Sequence, residues 1–368
     1  MGFNPSAPTA KLTVYHKRPS DAAWTDISSI IADWNGYSSK FNYSKGVSLL
    51  VNNLDGDNYD YFHVGDSFRV FAGYDTVYPQ PILQGKIFPN GIKMGDATID
   101  LTVNDYLAQL SYEHVYLSKE GTNYNGWECS TAIEDMVLGL NGAPLTMATS
   151  GSYNQLCYVV DDNDVYGMPI TKLDAVNKIM DIMIDTDFAT ATLLRPLKYY
   201  YYQYEDYDGS VYTARFKLIK EDDVLATTTV ANKSITATTN GLTGSVVTND
   251  DFYNKINIDD DRNQYVQDDD SIARFGLYSK KLTNSFPNPV QNMDVASMLL
   301  YTGNRENHSF SIEVRDWFAF NLGDIVAVSG MRNGLFNRNH IVVEISGSPT
   351  QGIITLANAI TDLKSYLS

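Results

Sequence analysis

The chain is 368 residues long, enough to bury a sizeable core over two or three domains, and its 43% hydrophobic content excludes disorder over most of that length. Its formal net charge of -17 disfavours nucleic acid as a bound ligand, although not a surface past which DNA slides without sticking. Two cysteines (Cys129 and Cys157), no apolar run near the ~20 residues of a membrane span and no apolar segment in "MGFNPSAPTAKLTVYHKR" exclude a disulfide framework, a spanning helix and a signal peptide.

Residues 11 to about 116 read as β-structure. In "KLTVYH" Leu12 and Val14 alternate with polar neighbours, as in a half-buried strand. "SFRVF" sets Phe68 and Val70 on one face, and "ILQGKI" continues the run. In "ATIDLTVND" Ile99, Leu101 and Val103 point one way, and Thr98, Asp100, Thr102 and Asn104 the other. Turns at Gly73, Gly91 and Gly95 separate these strands, so the region predicts a small barrel or sandwich. Asp105 is placed to cap a short helix in "DYLAQLSYEHVYL", whose Leu107 and Leu110 would plug one end.

The middle, residues 117–225, changes to α+β. "TAIEDMVLGL" offers Thr131 as N-cap and Glu134 three residues on, a capping box that opens a helix over about 131–140. In "TKLDAVNKIMDIMIDTDF" Thr171 caps a helix over about 171–185, with Leu173, Val176, Met180, Met183 and Ile184 as a core stripe. A hairpin over about 197–219 turns at Asp208-Gly209. Its tyrosines, Tyr199 to Tyr202, Tyr204 and Tyr207, fall on both faces. That pattern predicts packing on each side, with a sugar-binding platform as the functional alternative.

Residues 226–250, rich in Thr, read as a linking stretch with short strands. From "DFYNKINI" the chain returns to β, with a helical insertion over about 292–301 that Asn292 caps and that Val295, Met298 and Leu299 line. "SFSIEVRDW", "GDIVAVSG", "NHIVVEI" and "GIITLANA" are four closing strands. "VGDSFRVFAGYD" (Val64–Asp75) and "LGDIVAVSGMRN" (Leu322–Asn333) share one phrase: an apolar residue, Gly-Asp, an alternating strand and a Gly turn. This is a weak internal repeat of architecture. The predicted fold class is mainly β with an α+β middle: two small tube-like β-barrels, 1–116 and 226–368, joined by a helix-plus-hairpin region. The second barrel is either contiguous or borrows strands from the 117–249 segment.

No catalytic site can be argued. His16, His63, His114, His308 and His340 never fall into a ligand pattern, and no Cys-x-x-Cys, P-loop, nucleophile elbow or dinucleotide fingerprint occurs, so no cofactor is expected. Acid clusters stand at Asp55, Asp57 and Asp60, at Asp161, Asp162 and Asp164, and at Asp259–Asp261 and Asp268–Asp270. The first has spacing that supplies part of a calcium loop, so Asp55, Asp57 and Asp60 are weak metal candidates; solvated turns are the plainer reading.

"VGDSFRVFAGYDTVYPQPILQGKI" followed by "IDLTVNDYLAQL" resembles the first barrel of tailed-phage baseplate or tail-tip hub proteins, the late-control protein D-like hubs of contractile injection systems. "DDFYNKINI", "SIARFGLYSKKL", and "MDVASMLL" followed by "SFSIEV" and "NLGDIVAVSG" resemble that family's second half. The order of the motifs carries the resemblance, over about residues 10–116 and 250–357. It implies a homotrimer whose six barrels make a pseudo-sixfold ring, joining a hexameric tail tube to a central spike or fibre at the tail tip or baseplate of a virion. The implied partners are a tail tube or distal tail protein, a spike or fibre protein and a tape-measure protein, with DNA passing through the channel without specific binding. The acidic surplus would then line the channel. The 117–249 segment has no wall-cleaving motif and the chain ends about a dozen residues past its last strand, so a non-enzymatic hub is expected. A β-rich carbohydrate-binding or adhesin module is the alternative, and an acid-base glycan hydrolase the third reading.

Overall fold

The computed structural model describes residues 10–58, 60–74, 79–116, 124, 127–147, 169–181, 184–185, 195–196, 199–209, 211–220, 231–236, 247–248, 252–258, 264–282, 293, 296–297, 299–300, 308–330 and 339–357. The protein is mainly β. Strands β1 (Lys11–Lys17), β2 (Thr25–Asp26), β3 (Ile31–Lys40), β4 (Gly46–Asn52), β5 (Ser67–Gly73), β6 (Gln80–Met94) and β7 (Thr98–Asp105) pair in the order β3-β4-β7-β6-β5-β1-β2. Period-two alternation drives them: Ile99, Leu101 and Val103 are fully buried, while Asp100, Thr102 and Asn104 keep solvent contact.

The middle follows with β8 (His114–Val115), α1 (Cys129–Leu138), β9 (Leu145–Met147), β10 (Ile170–Thr171), α2 (Lys172–Asp181), β11 (Ile184–Asp185) and β12 (Arg195–Pro196). It ends in the hairpin β13 (Tyr199–Tyr207) and β14 (Tyr212–Lys220), where Tyr207 faces Tyr212 across the turn at Asp208-Gly209. Next come β15 (Lys233–Thr236) and β16 (Val247–Thr248), then a separate three-stranded unit of β17 (Lys255–Asn257), β18 (Tyr265–Gln267) and β19 (Ser279–Lys281) with helix α3 (Asp269–Phe275). The chain closes with β20 (His308–Val314), β21 (Ile325–Ser329), β22 (Asn339–Gly347) and β23 (Gly352–Ala357).

The second set of strands has the order β15-β21-β22-β23-β20-β16, which matches β1-β5-β6-β7-β4-β3 place for place. One difference is that β15 runs parallel to β21 whereas β1 runs antiparallel to β5. The two sets meet edge to edge: Glu344, Ile345, Ser346 and Gly347 of β22 pair with Lys40, Ser39, Ser38 and Tyr37 of β3. They therefore form one 13-stranded sheet. Among the described residues neither set closes on itself, so the two barrels expected from the sequence are here two open sheets sharing a seam. One core runs under both, from Val14, Phe68 and Leu101 to Ile312, Val326 and Ile354.

Several local expectations are revised. Helix α1 starts at Cys129 with Glu128 as N-cap, so Thr131 lies inside the helix, its hydroxyl 3.5 Å from the Glu128 carboxylate. Thr171 does cap α2, its Oγ1 accepting the Asp174 N–H at 3.1 Å. That helix stops at Asp181, and Ile184 starts β11, where β-branched and short polar residues are poor helix formers. Asp105 caps a 3-10 turn over Tyr106–Ser111, accepting the Leu107 N–H at 3.1 Å. Leu107 and Leu110 pack under α1 and α2 with Ile133, Val137 and Val176, rather than plugging the first sheet. Residues 226–250 are more than a linker, since β15 and β16 are strands of the second set. "KIN" of β17, by contrast, lies outside the large sheet because Ile256 and Ile258 bury into a separate core with Leu299 and Leu300. Position 293 and those described from 296 to 300 are helical; Asn292, Val295, Met298 and Met183 lie outside the described residues.

Candidate functional site

The repeated Gly-Asp phrase folds twice into one corner. Gly65 and Gly323 have φ of +96° and +81°, the left-handed region that glycine enters without penalty. Each sends its N–H to the next strand, Gly65 to the Ile87 carbonyl (2.8 Å) and Gly323 to the Val342 carbonyl (2.9 Å). Ile87 and Val342 return their N–H groups to the carbonyls of Asp66 and Asp324, both at 3.0 Å. Each aspartate carboxylate then accepts the N–H three residues back, from His63 (2.9 Å) and from Asn321 (2.8 Å). Each also meets one side chain from the first strand region of its set: His16 Nε2 at 2.8 Å from Asp66, and Asn232 Nδ2 at 2.9 Å from Asp324.

This equivalence decides how the His16–Asp66 pair is read. A buried His–Asp pair is the orienting half of a nucleophilic triad, but here the imidazole is enclosed by the rings of Tyr61, Phe62 and Phe68. Its counterpart is an asparagine, which cannot act as a base. The pair fixes a corner.

The seam between the two sets is filled by Trp317, which stacks on Tyr37 (centroids 5.0 Å apart) and tilts against Trp34 (5.9 Å). It fits only because Gly347 and Gly352 lie beneath it; a Cβ on either would fall 2.3 Å from the indole side chain.

The hairpin β13–β14 is clamped between two cores. Tyr200 and Tyr202 join the large sheet's core, and Tyr201 faces the helices. Tyr201 is also held by Asn42, which has a φ of +63°: their backbone and side-chain groups exchange three hydrogen bonds of 2.9 to 3.1 Å. Beside them is a buried polar cluster. Glu205 pairs with the ammonium of Lys45 and accepts the Gln84 N–H at 3.0 Å and the Gln203 amide at 2.9 Å. Gln203 bridges onward to the Gln84 carbonyl (2.6 Å) and the Tyr106 N–H (3.0 Å). Asp105 accepts the Lys45 N–H at 3.1 Å, and burial pushes its carboxyl up to about 7 against the pull of Lys45. The sequence reading missed this cluster. Its one signal was the pair Gln203 and Glu205, two residues apart and so on one face of a tyrosine-rich strand.

Asp55, Asp57 and Asp60 all lie exposed on the β4–β5 connection. Among the described residues no group of three His, Cys, Asp or Glu side chains is arranged to hold a metal ion. Asp268 caps α3 through the Ser271 N–H at 3.0 Å, while Asp161, Asp162, Asp164 and Asp259–Asp261 lie outside the described residues. A groove of about 390 Å³ opens between α2, the 3-10 turn and the β3–β4 turn, lined by Asn42, Tyr43, Ser111, Asn177, Met180 and Tyr201 among others. Among the described residues no carboxylate, imidazole or cation lines it, so they offer no acid–base pair there. Among the described residues no helix is long and apolar enough to cross a membrane.

Comparison with solved structures reveals the same architecture over nearly the whole chain. The 43 kDa tail protein of prophage MuSo2 from Shewanella oneidensis superposes with a TM-score of 0.54 at 12% identity, covering 94% of this chain and 97% of that one. The fold is that of a prophage tail protein. Prophage tail protein gp18 from Listeria monocytogenes EGD-e gives a TM-score of 0.48 at 9% identity, with 96% of each chain covered. The E. coli c3393 protein, a component of the type VI secretion system, gives 0.49 at 8% identity, covering 98% of this tail-fold chain and 76% of its own. No protein-family model and no curated protein sequence matches the chain.

Proposed function

We propose that the chain is a structural protein of a phage tail, a non-enzymatic hub at the tail tip or baseplate of the virion. The observation that carries this reading is the duplicated Gly-Asp corner with its matching strand order, fused into one sheet within a fold shared with a prophage tail protein. Two equivalent edges per chain let three copies present six to a hexameric tube, which is the use of such a duplication in a homotrimer. The division into 1–116, 117–225 and 226–368 follows the same logic, with the second set drawing β15 and β16 from the stretch before residue 250. The partners are a tail tube or distal tail protein on one side, a spike or fibre protein on the other, and a tape-measure protein and DNA in the passage.

Across β7, β4, β3, β22, β23 and β20 the large sheet turns one side to solvent, available for such a passage, while its β5–β6 side is covered by the β13–β14 hairpin. Its outward positions are mostly small and neutral, including Ser38, Ser48, Thr102, Ser311, Ser346 and Thr355. Asp33, Asp100, Glu313 and Glu344 are interspersed there with Lys40, Lys86 and Lys93. With this face as the wall, DNA slides because among the described residues there is no basic stripe to hold its phosphates. The adhesin reading loses its motive, since Tyr200, Tyr201 and Tyr202 are buried and form no exposed platform.

Light scattering joined to negative-stain class averages of the same peak tests the reading. A trimer with a central hole is expected. A monomer at every concentration and in the presence of tube and spike proteins overturns it.

A further inference from the structure

The two strand sets correspond residue by residue as well as in strand order. The Gly-Asp corners align Ile87 with Val342, since each accepts from the corner glycine and returns its N–H to the corner aspartate. Ile87 lies opposite Val103 and Val342 opposite Leu356, so the match passes to the next strand. Beyond one irregularity in each ladder, Ile92 faces Leu101 and Ile345 faces Ile354. Ile92, Lys93 and Met94 of β6 therefore align with Ile345, Ser346 and Gly347 of β22. In the other direction Val47 opposite Val103 matches Phe310 opposite Leu356, which aligns Gly46 with Ser309. Ser38 pairs with Gly46 and Val247 with Ser309, so Ser38 and Ser39 of β3 align with Val247 and Thr248 of β16.

The seam inside the chain uses half of this correspondence. Ser38 lies opposite Ser346, and Ser39 opposite Ile345. The other half is unused. β16 ends the large sheet, and among the described residues no strand pairs with residues 92–94 on the side of β6 away from β7. Burial follows the difference. Ile345 is 2% exposed at the seam, whereas Ile92 is half-buried, Lys93 exposed and Met94 43% exposed. An open backbone edge beside an uncovered apolar side chain is a template for another strand.

We propose that the same seam forms again between chains: β16 of one copy pairs antiparallel with residues 92–94 of the next, Val247 opposite Lys93 and Thr248 opposite Ile92. This is the register of Ser38 with Ser346 and Ser39 with Ile345, repeated. The two edges are different, so the contact is heterologous and runs head to tail. Three copies then close a ring in which seams within chains alternate with matching seams between them. The inference rests on the trimeric reading above and names the strands that join the copies.

Full-length protein carrying Lys93→Cys with Val247→Cys tests it, alone and with tube and spike proteins present. Directly opposed residues of an antiparallel pair have Cα atoms about 4.5–5.5 Å apart, within reach of a disulfide. Mild oxidation is expected to give a ladder on denaturing gels that ends at a covalent trimer. Either single variant is expected to give none, which controls for Cys129 and Cys157. Ile92→Cys with Thr248→Cys is expected to behave alike, so the test survives if one pair fails to fold, as checked by circular dichroism. Lys93→Cys with Thr248→Cys is slipped by one residue and is expected to crosslink about tenfold less, because neighbours along a strand point to opposite faces. Trimers by light scattering with no ladder from either in-register pair, or a ladder that stops at the dimer, overturn the seam and leave the trimer standing. A chain that stays monomeric with tube and spike proteins present overturns both.

Discussion

The Glu205 carboxylate on β13 closes an ion pair with the Lys45 ammonium just ahead of β4, with the two side chains only 2% and 6% exposed. This pair ties the middle hairpin to the first set of strands. Removing two charges from water costs several kcal/mol each, and the pair holds because Glu205 also accepts from Gln84 and Gln203. Lys45→Met strands that carboxylate and is expected to destabilise the protein by about 3–5 kcal/mol. Lys45→Met with Glu205→Gln, which keeps an oxygen for the Gln84 N–H, is expected to recover most of the loss. Urea midpoints of the parent and both variants decide; a double variant as weak as the single sinks the argument.

Asp105 sets a pH dependence. Burial raises its carboxyl to about 7, so between its ordinary unfolded value near 4 and about 7 the folded chain binds the proton more tightly. Its contribution is therefore full below about pH 4 and is lost progressively as pH rises to about 7, with a slope of at most about 1.4 kcal/mol per pH unit. Glu205 and Glu134 are also raised, by burial, and act with the same sign, while Glu113 is lowered and acts only below its ordinary range. The melting temperature is expected to rise from pH 8 to pH 5, and Asp105→Asn to flatten that rise. A melting temperature that falls over this window contradicts the assignment.

The strands were legible because their alternation is written residue by residue, as in Ile99, Leu101 and Val103, and the two Gly-Asp corners because a left-handed turn demands glycine. The hairpin's two-sided packing was legible from tyrosines on both faces. The seam was not. Glu344 opposite Lys40 is a pairing between distant strands whose local patterns suit a closed barrel as well as an open sheet. The polar cluster was hidden for a similar reason: Lys45, Gln84, Asp105, Gln203 and Glu205 come from four separate stretches, and each alone reads as an ordinary surface residue. The separate core under β17 escaped because three-residue strands carry too little alternation to name their partner sheet.

Trp317 makes the seam a tight fit. Gly347→Ala and Gly352→Ala each push a methyl into the indole side chain at 2.3 Å, an overpacking expected to cost about 1–3 kcal/mol. The cost should reside in the contact itself. In a Trp317→Ala background, already weakened by loss of the Tyr37 stack, Gly347→Ala is expected to be nearly neutral because the ring atoms its methyl meets are gone. Gly352→Ala is expected to stay costly there, because its methyl meets the Cβ that every replacement but glycine keeps. Denaturation of the four proteins in each cycle gives the coupling. Additive losses in the Gly347 cycle would mean that this glycine is needed for its backbone and not for the space it leaves.

The corner at Asp66 predicts what His16 does. Asp66 is almost wholly buried, and an uncompensated carboxylate there costs far more than a changed partner. Because Asn232 fills the same place beside Asp324, an amide donor is sufficient for the corner. His16→Asn, which keeps an N–H donor, is therefore expected to cost about 1 kcal/mol. His16→Leu fills the space among Tyr61, Phe62 and Phe68 but leaves Asp66 without its side-chain donor, and about 3 kcal/mol or more is expected. The mirrored pair, Asn232→His and Asn232→Leu, should rank the same way with smaller losses, since Asp324 is only half-buried. Urea midpoints for all four variants test the equivalence directly. If His16→Asn proves as damaging as His16→Leu, the two corners share a backbone path but not a function for their aspartates, and the imidazole does something that an amide cannot.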